Sequence, residues 1–245
     1  TNEFGVLITC FNNMVKKIDN LIQRVYQEQL LKQKAELKFL RMQINPHFLY
    51  NALESINWMA RANGSDNVGE MAKALGDLMR ASITGDDFIT LKEEMNNIRN
   101  YLTVQKYRYG DRFSVEISID DSIVFMKVPK LLIQPLVENA IVHGIEPKIG
   151  KSRISIKGYS QGNMAVINVT DDGVGMNEER IKAILCRGSD MDTEEEIGQE
   201  KAKIGLLNVQ RRIKLYYGDE FGLSIYSRCG IGTSVSANLP YDPIG

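Results

Sequence analysis

Hydrophobic residues in 6–60 recur every three to four positions, no glycine falls between Gly5 and Gly64, and the only proline there is Pro46. That pattern predicts helix almost throughout. Ile18, Ile22, Tyr26 and Leu30 step by fours; Leu37, Leu40 and Ile44 then follow a heptad seam, so the earlier run is a stutter. The remaining faces are very polar (Gln27-Glu28-Gln29, Lys32-Gln33-Lys34), which favours a two-stranded parallel coiled coil over one amphipathic helix packed on its own domain. Pro46 removes a backbone hydrogen bond and clashes with the preceding turn, predicting a kink one residue before His47. Asn63-Gly64-Ser65-Asp66 is a turn cluster. A second helix over about 68–82 places Met71, Leu75, Leu78 and Ser82 on one face. The two helices form a hairpin, and two hairpins make a four-helix bundle.

Beyond Gly85-Asp86-Asp87 the period changes repeatedly. Thr90-Leu91-Lys92-Glu93 reads as a capping box opening a helix that runs to about Tyr109 and stops at Gly110. Strands are predicted over 113–119, 153–159, 164–171, 223–227 and 233–239, and helices over 128–144 (Pro129 at its start), 178–185 and 206–217. The acidic, polar stretch 189–203 reads as a loop. The fold class expected is α+β: a long N-terminal helix and helical hairpin, then an α/β sandwich whose mixed sheet carries helices on one face.

Composition narrows the function classes. Thirty basic against 31 acidic residues give a net charge of −1, with no basic block, so nucleic acid is not an expected partner. Cys10, Cys186 and Cys229 are far apart and match no metal spacing, which favours a reducing compartment. No run of about 18 apolar residues supplies a membrane span. The chain starts at Thr1 without Met, so it reads as an excised fragment of a longer protein.

The candidate chemistry lies in a few motifs. Asp171-x-Gly173-x-Gly175 follows the apolar strand Val166-Ile167-Asn168-Val169. A carboxylate at a strand end can accept from an adenine amino group, and glycines let the backbone approach a flat base; a plain Asp-Gly turn is the alternative. Asn139 sits mid-helix, where asparagine is a poor helix former, and either satisfies a neighbouring backbone group or ligates Mg²⁺ beside phosphates. Lys203-Ile204-Gly205-Leu206 opens a helix, whose free amides suit phosphate. Gly230-Ile231-Gly232-Thr233 precedes the last strand and is otherwise a hairpin turn.

These four elements, in this order, resemble the N, G1, G2 and G3 boxes of the ATP-binding fold shared by gyrase, the heat-shock-90 chaperones and histidine kinases. The form Pro135-Leu136-Val137-Glu138-Asn139-Ala140-x-x-His143-Gly144, with Gln43-x-Asn45-Pro46-His47-Phe48-Leu49-x-Asn51 upstream, resembles the LytS/YesM-like sensor histidine kinases over roughly residues 36–240. Residues 1–20 resemble the end of a HAMP signalling module. The resemblance implies that Asp171 binds adenine, Gly173 and Gly175 shape the pocket, Asn139 ligates Mg²⁺, Gly205 begins the lid-side phosphate turn and Thr233 supports the adenine end. His143, four residues after Asn139, would face the phosphates, or else be a helix-terminal histidine stabilised by the dipole.

His47 is the expected phosphoacceptor, since a neutral imidazole is a good nucleophile near pH 7; otherwise it is a bundle histidine in phase with Leu40 and Ile44. Asn51, one turn on, either positions water for dephosphorylation or bonds within the bundle. The sequence departs from the family's pattern in two places. Lys201-Ala202-Lys203 stands where glycines usually precede Gly205, and Phe48 stands where many such kinases have an acid. Pro135 occupies the position of the general-base Glu of ATP-hydrolysing relatives, which disfavours a gyrase-like ATPase. The resemblance thus implies a homodimeric kinase using ATP and Mg²⁺, the cytoplasmic portion of a cell-membrane protein whose span is absent from this chain, passing phosphate to a response regulator. The alternative is a dimeric nucleotide-binding scaffold. Four parts are expected: 1–20, the HAMP-like end; 21–40, the signalling coiled coil; 41–88, the dimerisation and phosphoacceptor hairpin; and 89–245, the ATP-binding domain.

Overall fold

A computed structural model describes residues 46–83, 86–178, 181 and 201–241. The coiled-coil and HAMP-like expectations, the acidic stretch 189–200 and most of the helix expected over 178–185 lie outside them. By packing, the chain divides into Thr1–Leu49 and Tyr50–Gly245. Of the first unit, only the opening turn of helix α1, with His47 and Phe48 exposed, is described.

Helix α1 (Pro46–Ala62) and helix α2 (Asp66–Ile83) are joined by the expected turn, where Gly64 takes a positive φ of 71°. Ala60, Ala72 and Ala74 are buried, whereas Ile56, Trp58, Met59, Val68, Met71 and Leu75 remain exposed. Helix α3 (Leu91–Tyr109) packs along α2, with Tyr107 donating its hydroxyl to Glu70 at 2.8 Å. Its start follows the sequence closely. Thr90 Oγ1 accepts from the Glu93 amide at 3.3 Å, and the Glu93 carboxylate accepts from the Thr90 amide at 2.8 Å, a reciprocal cap on the first turn.

The sheet has five strands: β2 (Phe113–Ile119), β4 (Ser152–Gln161), β5 (Met164–Asp171), β6 (Gly222–Arg228) and β7 (Gly232–Pro240), ordered β2-β4-β5-β7-β6. β2 runs parallel to β4 and the other neighbours are antiparallel, giving the mixed sheet expected. Alternate side chains of each strand face the helices. Ile154, Ile156, Ile167, Val169, Val235 and Ala237 form that face, and Leu91, Ile98, Leu136, Ile141, Val209 and Ile213 cover it from the helices. The opposite face is polar: Asn168 donates to Ser234 and Ser236, each at 2.8 Å.

Three expectations need correction. The helix over 128–144 does not exist in that form. Lys127–Pro129 is a short strand, β3, antiparallel to β1 (Phe88–Thr90), and helix α4 covers only Gln134–Asn139. Pro129 ends a strand that spends none of its amides on a central ladder, a place proline tolerates as well as a helix start. Second, Ala140–Ile145 is a π-helical segment, closed by the Glu146 amide donating to the Ile141 carbonyl at 2.8 Å. Third, helix α5 spans Lys201–Tyr217, so the last residues expected in the loop are already helical. Among the described residues no helix is long and apolar enough to cross a membrane.

Candidate nucleotide site

β5 ends at Asp171, paired across to Thr233 of β7 and to Ile154 of β4. Strand alternation turns the Asp171 side chain to the helical face, and the residue is 5% exposed. Its Oδ1 accepts from the Gly173 amide at 2.9 Å. Burial pushes the carboxyl up to about 6, against the pull of the Gly173 and Thr233 amides. Asp172, next to it, goes the other way. Burial would raise it, but the Arg153 amide at 2.8 Å and the Lys148 ammonium at 3.2 Å outweigh that and hold it below the usual range. Two adjacent carboxylates are thus set apart by surroundings alone: one costly to ionise and turned to the helices, one firmly anionic at the edge.

The turn after β5 is fitted to the π segment by the absence of side chains. A β-carbon on Gly144 would lie 2.5 Å from Asp171 Oδ1, and one on Gly173 would run into the Gly144 carbonyl. That carbonyl accepts from the Val174 amide at 3.0 Å. Gly175 has a φ of 69°, which glycine adopts readily, and a β-carbon there would meet the Arg228 carbonyl. The Gly230 amide, from the hairpin between β6 and β7, closes the group by donating to Val174 at 2.7 Å.

Asn139 ends α4. Its amide nitrogen donates to the Pro135 carbonyl at 2.6 Å, leaving the amide oxygen as the atom able to ligate. Gly205 of α5 faces it: a β-carbon on Gly205 would lie 3.3 Å from Asn139 Nδ2. Gly205 itself corrects the sequence reading. It is the fifth residue of α5, past the four amides that a helix leaves unpaired at its start, so it offers no helix-end phosphate site. His143 lies in the π segment and is partly exposed.

The fold therefore brings Asp171, Gly173, Gly175 and Thr233 to one strand end, against the π segment that carries His143, and brings Asn139 to Gly205. Sequence reasoning missed the part played by Gly144, which stood in the quoted motif without a task; a glycine inside a helical pattern is itself a signal, because it costs stability unless close packing needs it. A cavity of about 870 Å³ is lined by Asp171, Asp172 and Thr233 at the strand end and by Ser155, Thr170, Tyr226 and Ser234 among others. Ser155, Thr170, Tyr226 and Ser234 belong to the sheet face opposite the Asp171 side chain, so the cavity runs from the strand end of the site over the polar face. Among the described residues no group of His, Cys, Asp and Glu could hold a metal ion. A carboxamide oxygen beside phosphate oxygens is the donor set that Mg²⁺ accepts, and Asn139 fits that requirement.

Known families match two stretches of the chain. A family described as "Histidine kinase" matches residues 35–113, and one described as "Histidine kinase-, DNA gyrase B-, and HSP90-like ATPase" matches residues 127–243. The chain is 37% identical to sensor histidine kinase YesM of Bacillus subtilis over 98% of its own length and 39% of that protein. It is 34% identical to sensor protein LytS of Staphylococcus saprophyticus, over 84% of this chain and 34% of that one. The chain thus spans little more than a third of these relatives. The solved histidine kinase domain of the Erythrobacter litoralis EL346 blue-light activated kinase covers 85% of the chain at 17% identity, with a TM-score of 0.45.

Proposed function

This chain belongs to the sensor histidine kinase family, and from that premise we propose that it is the part of a homodimeric sensor that binds ATP, phosphorylates His47 and passes the phosphoryl group to an aspartate of a response regulator. The observation that carries the reading is the close approach of Asp171, Gly144 and Gly173, which seats one buried carboxylate against backbone bare of side chains at the strand end. In this reading Asp171 accepts a hydrogen bond from the adenine amino group, and Gly173 and Gly175 let the backbone lie against the base. Thr233 holds the adjoining strand through its amide on Asp171 and its hydroxyl at 2.8 Å from that of Ser227.

Asn139 would hold Mg²⁺ through its amide oxygen, with its nitrogen tied to Pro135, and His143 would face the phosphates from the π segment that follows. Mg²⁺, when bound, supplies neutralisation of charge on the phosphate oxygens. Gly205 contributes by being small, so that α5 can approach Asn139. His47, exposed on α1, would attack the γ-phosphorus of ATP through an imidazole nitrogen as the bond to the leaving ADP oxygen breaks, and in-line transfer then needs little beyond positioning. Asn51, one turn along α1, is the candidate for orienting water in dephosphorylation.

We place the boundaries at 1–20, 21–40, 41–88 and 89–245, as the sequence suggests. Exposed apolar side chains on α1 and α2, Trp58, Met59, Met71 and Leu75 among them, are the face a second copy covers in a four-helix bundle. A span outside this chain would hold the whole protein to the membrane, with this part on the cytoplasmic side. Incubation with γ-labelled ATP and Mg²⁺ tests the reading. Label on His47 supports it; tight ATP binding with no label supports the scaffold instead.

A further inference from the structure

Glu94 has no solvent exposure, on the face of α3 that enters the core. Ionisable groups are rarely buried so completely without partners. Its partners are backbone amides: Oε1 accepts from Ile133 at 3.0 Å and Oε2 from Leu131 at 3.1 Å, with the Leu132 and Gln134 amides also turned towards it. Burial pushes the carboxyl above the ordinary range, although these amides favour its charge. The turn that supplies them is strained. Leu131 has a φ of 57°, alone among the described non-glycine residues in being positive. That conformation costs a leucine stability and persists where surroundings impose it. Consecutive amides in such a turn form a cup that binds anions, and here the anion is the chain's own carboxylate.

The carbonyls of the same turn are held from α5. Arg212 Nη1 donates to Lys130 at 2.6 Å and to Leu131 at 3.3 Å. Helix α4 starts directly after the turn, at Gln134, and ends at Asn139; α5 carries both Arg212 and Gly205. One four-residue turn therefore joins three helices, through its amides to α3, through its carbonyls to α5 and through the chain to α4.

We propose that Glu94 and Arg212 are positioning residues for the metal-binding end of the nucleotide site: they hold Leu131 in its left-handed conformation and thereby set where α4 presents Asn139 to α5. This rests on reading Asn139 as the Mg²⁺ ligand. Loss of either residue lets Leu131 relax to ordinary backbone and displaces the start of α4. Asp171 stands on the sheet and has no bond to this turn, so the adenine end is spared.

The full chain is titrated with ATP in Mg²⁺, with ATP in EDTA and with adenosine, as wild type, Glu94→Gln, Arg212→Gln and Glu94→Gln/Leu131→Gly. The single substitutions are expected to weaken the Mg²⁺-dependent part of ATP binding by roughly tenfold or more, as loss of a ligand's supporting shell does, with adenosine affinity unchanged. Glycine enters the left-handed region without a steric cost, so Leu131→Gly should return most of the affinity lost in Glu94→Gln. Parallel loss of adenosine and Mg²⁺-dependent binding marks Glu94 as merely structural and overturns the proposal. So does failure of Leu131→Gly to restore binding. A wild-type chain whose ATP affinity ignores Mg²⁺ overturns the reading of Asn139 and this proposal with it, before any variant is compared.

Discussion

Asp171 and Gly144 are in contact because position 144 has no side chain: a β-carbon there would sit 2.5 Å from Oδ1. Neither backbone can retreat. Asp171 is fixed by strand pairing on both sides, and the Gly144 carbonyl is held by the Val174 amide. Gly144→Ala should therefore cost about 1–3 kcal/mol of stability through overpacking and reduce nucleotide affinity as Asp171 turns away. Denaturant melts and titration with a fluorescent ATP analogue measure the two. Wild-type affinity in a folded Gly144→Ala chain would show that the approach plays no part in binding.

The raised carboxyl of Asp171 has two consequences of opposite sign. In the unliganded protein, the folded state holds this proton more tightly than the unfolded chain. The contribution to stability is complete below the ordinary value of 3.8 and is lost as pH rises through about 6. Asp171→Asn removes the dependence, so its stability relative to wild type should climb between those values by on the order of 3 kcal/mol at most. Denaturant melts across that range measure it, and a flat difference would sink the assignment.

Ligand binding runs the other way. An adenine amino group donates to the ionised carboxylate, so adenosine affinity should fall by roughly tenfold for each unit of pH below about 6. Adenosine, rather than ATP, keeps phosphate titration out of the measurement. Calorimetric titration from pH 5 to 8 reads the slope; an equal slope in Asp171→Asn would assign it to another group.

Asn139→Ala removes the ligating oxygen and the bond to Pro135. The expected result is loss of the Mg²⁺-dependent increment of ATP affinity, by about 10- to 100-fold, with adenosine binding intact. A variant that loses both equally would place Asn139 in the structure of α4 rather than at a metal.

His47→Gln should abolish transfer while leaving ATP affinity unchanged. The label on wild type should be lost in acid and kept in base, as a phosphoramidate requires. Undiminished labelling of the variant would move the acceptor elsewhere, and His143 is the only other histidine.

Much of the fold was legible wherever one local rule acted alone. The Thr90–Glu93 cap is decided within four residues, and β2 and β5 begin and end where the alternation of apolar residues predicts. Pairing over distance was not legible. β1 and β3 are three residues each, too short to show a period, and only their pairing makes them strands; Pro129 therefore read as a helix start. In the site, Asp171 and its glycines were legible because a strand, a carboxylate and a turn follow in sequence. Glu94 was not: it looks like any surface glutamate of a polar helix until Leu131, far along the chain, folds onto it. Gly205 was misjudged because the helix it seemed to open starts earlier, over residues with no marked starting signal.

The π segment has the character of a reading frame. Its wide turn holds one residue more than an α-helix would over the same contacts. Asn139 and Gly144 are thus each set against a different neighbour, α5 for one and the sheet for the other, with a fixed count of residues between them. A single deletion within 140–143 would let the backbone fall back to α geometry with the residues beyond it still in phase, whereas a single insertion there would turn everything beyond by about 100°, carrying Gly144 off Asp171 while Asn139 stayed in place. Substitutions here can be judged one side chain at a time; an insertion cannot, because it puts every later residue out of phase at once.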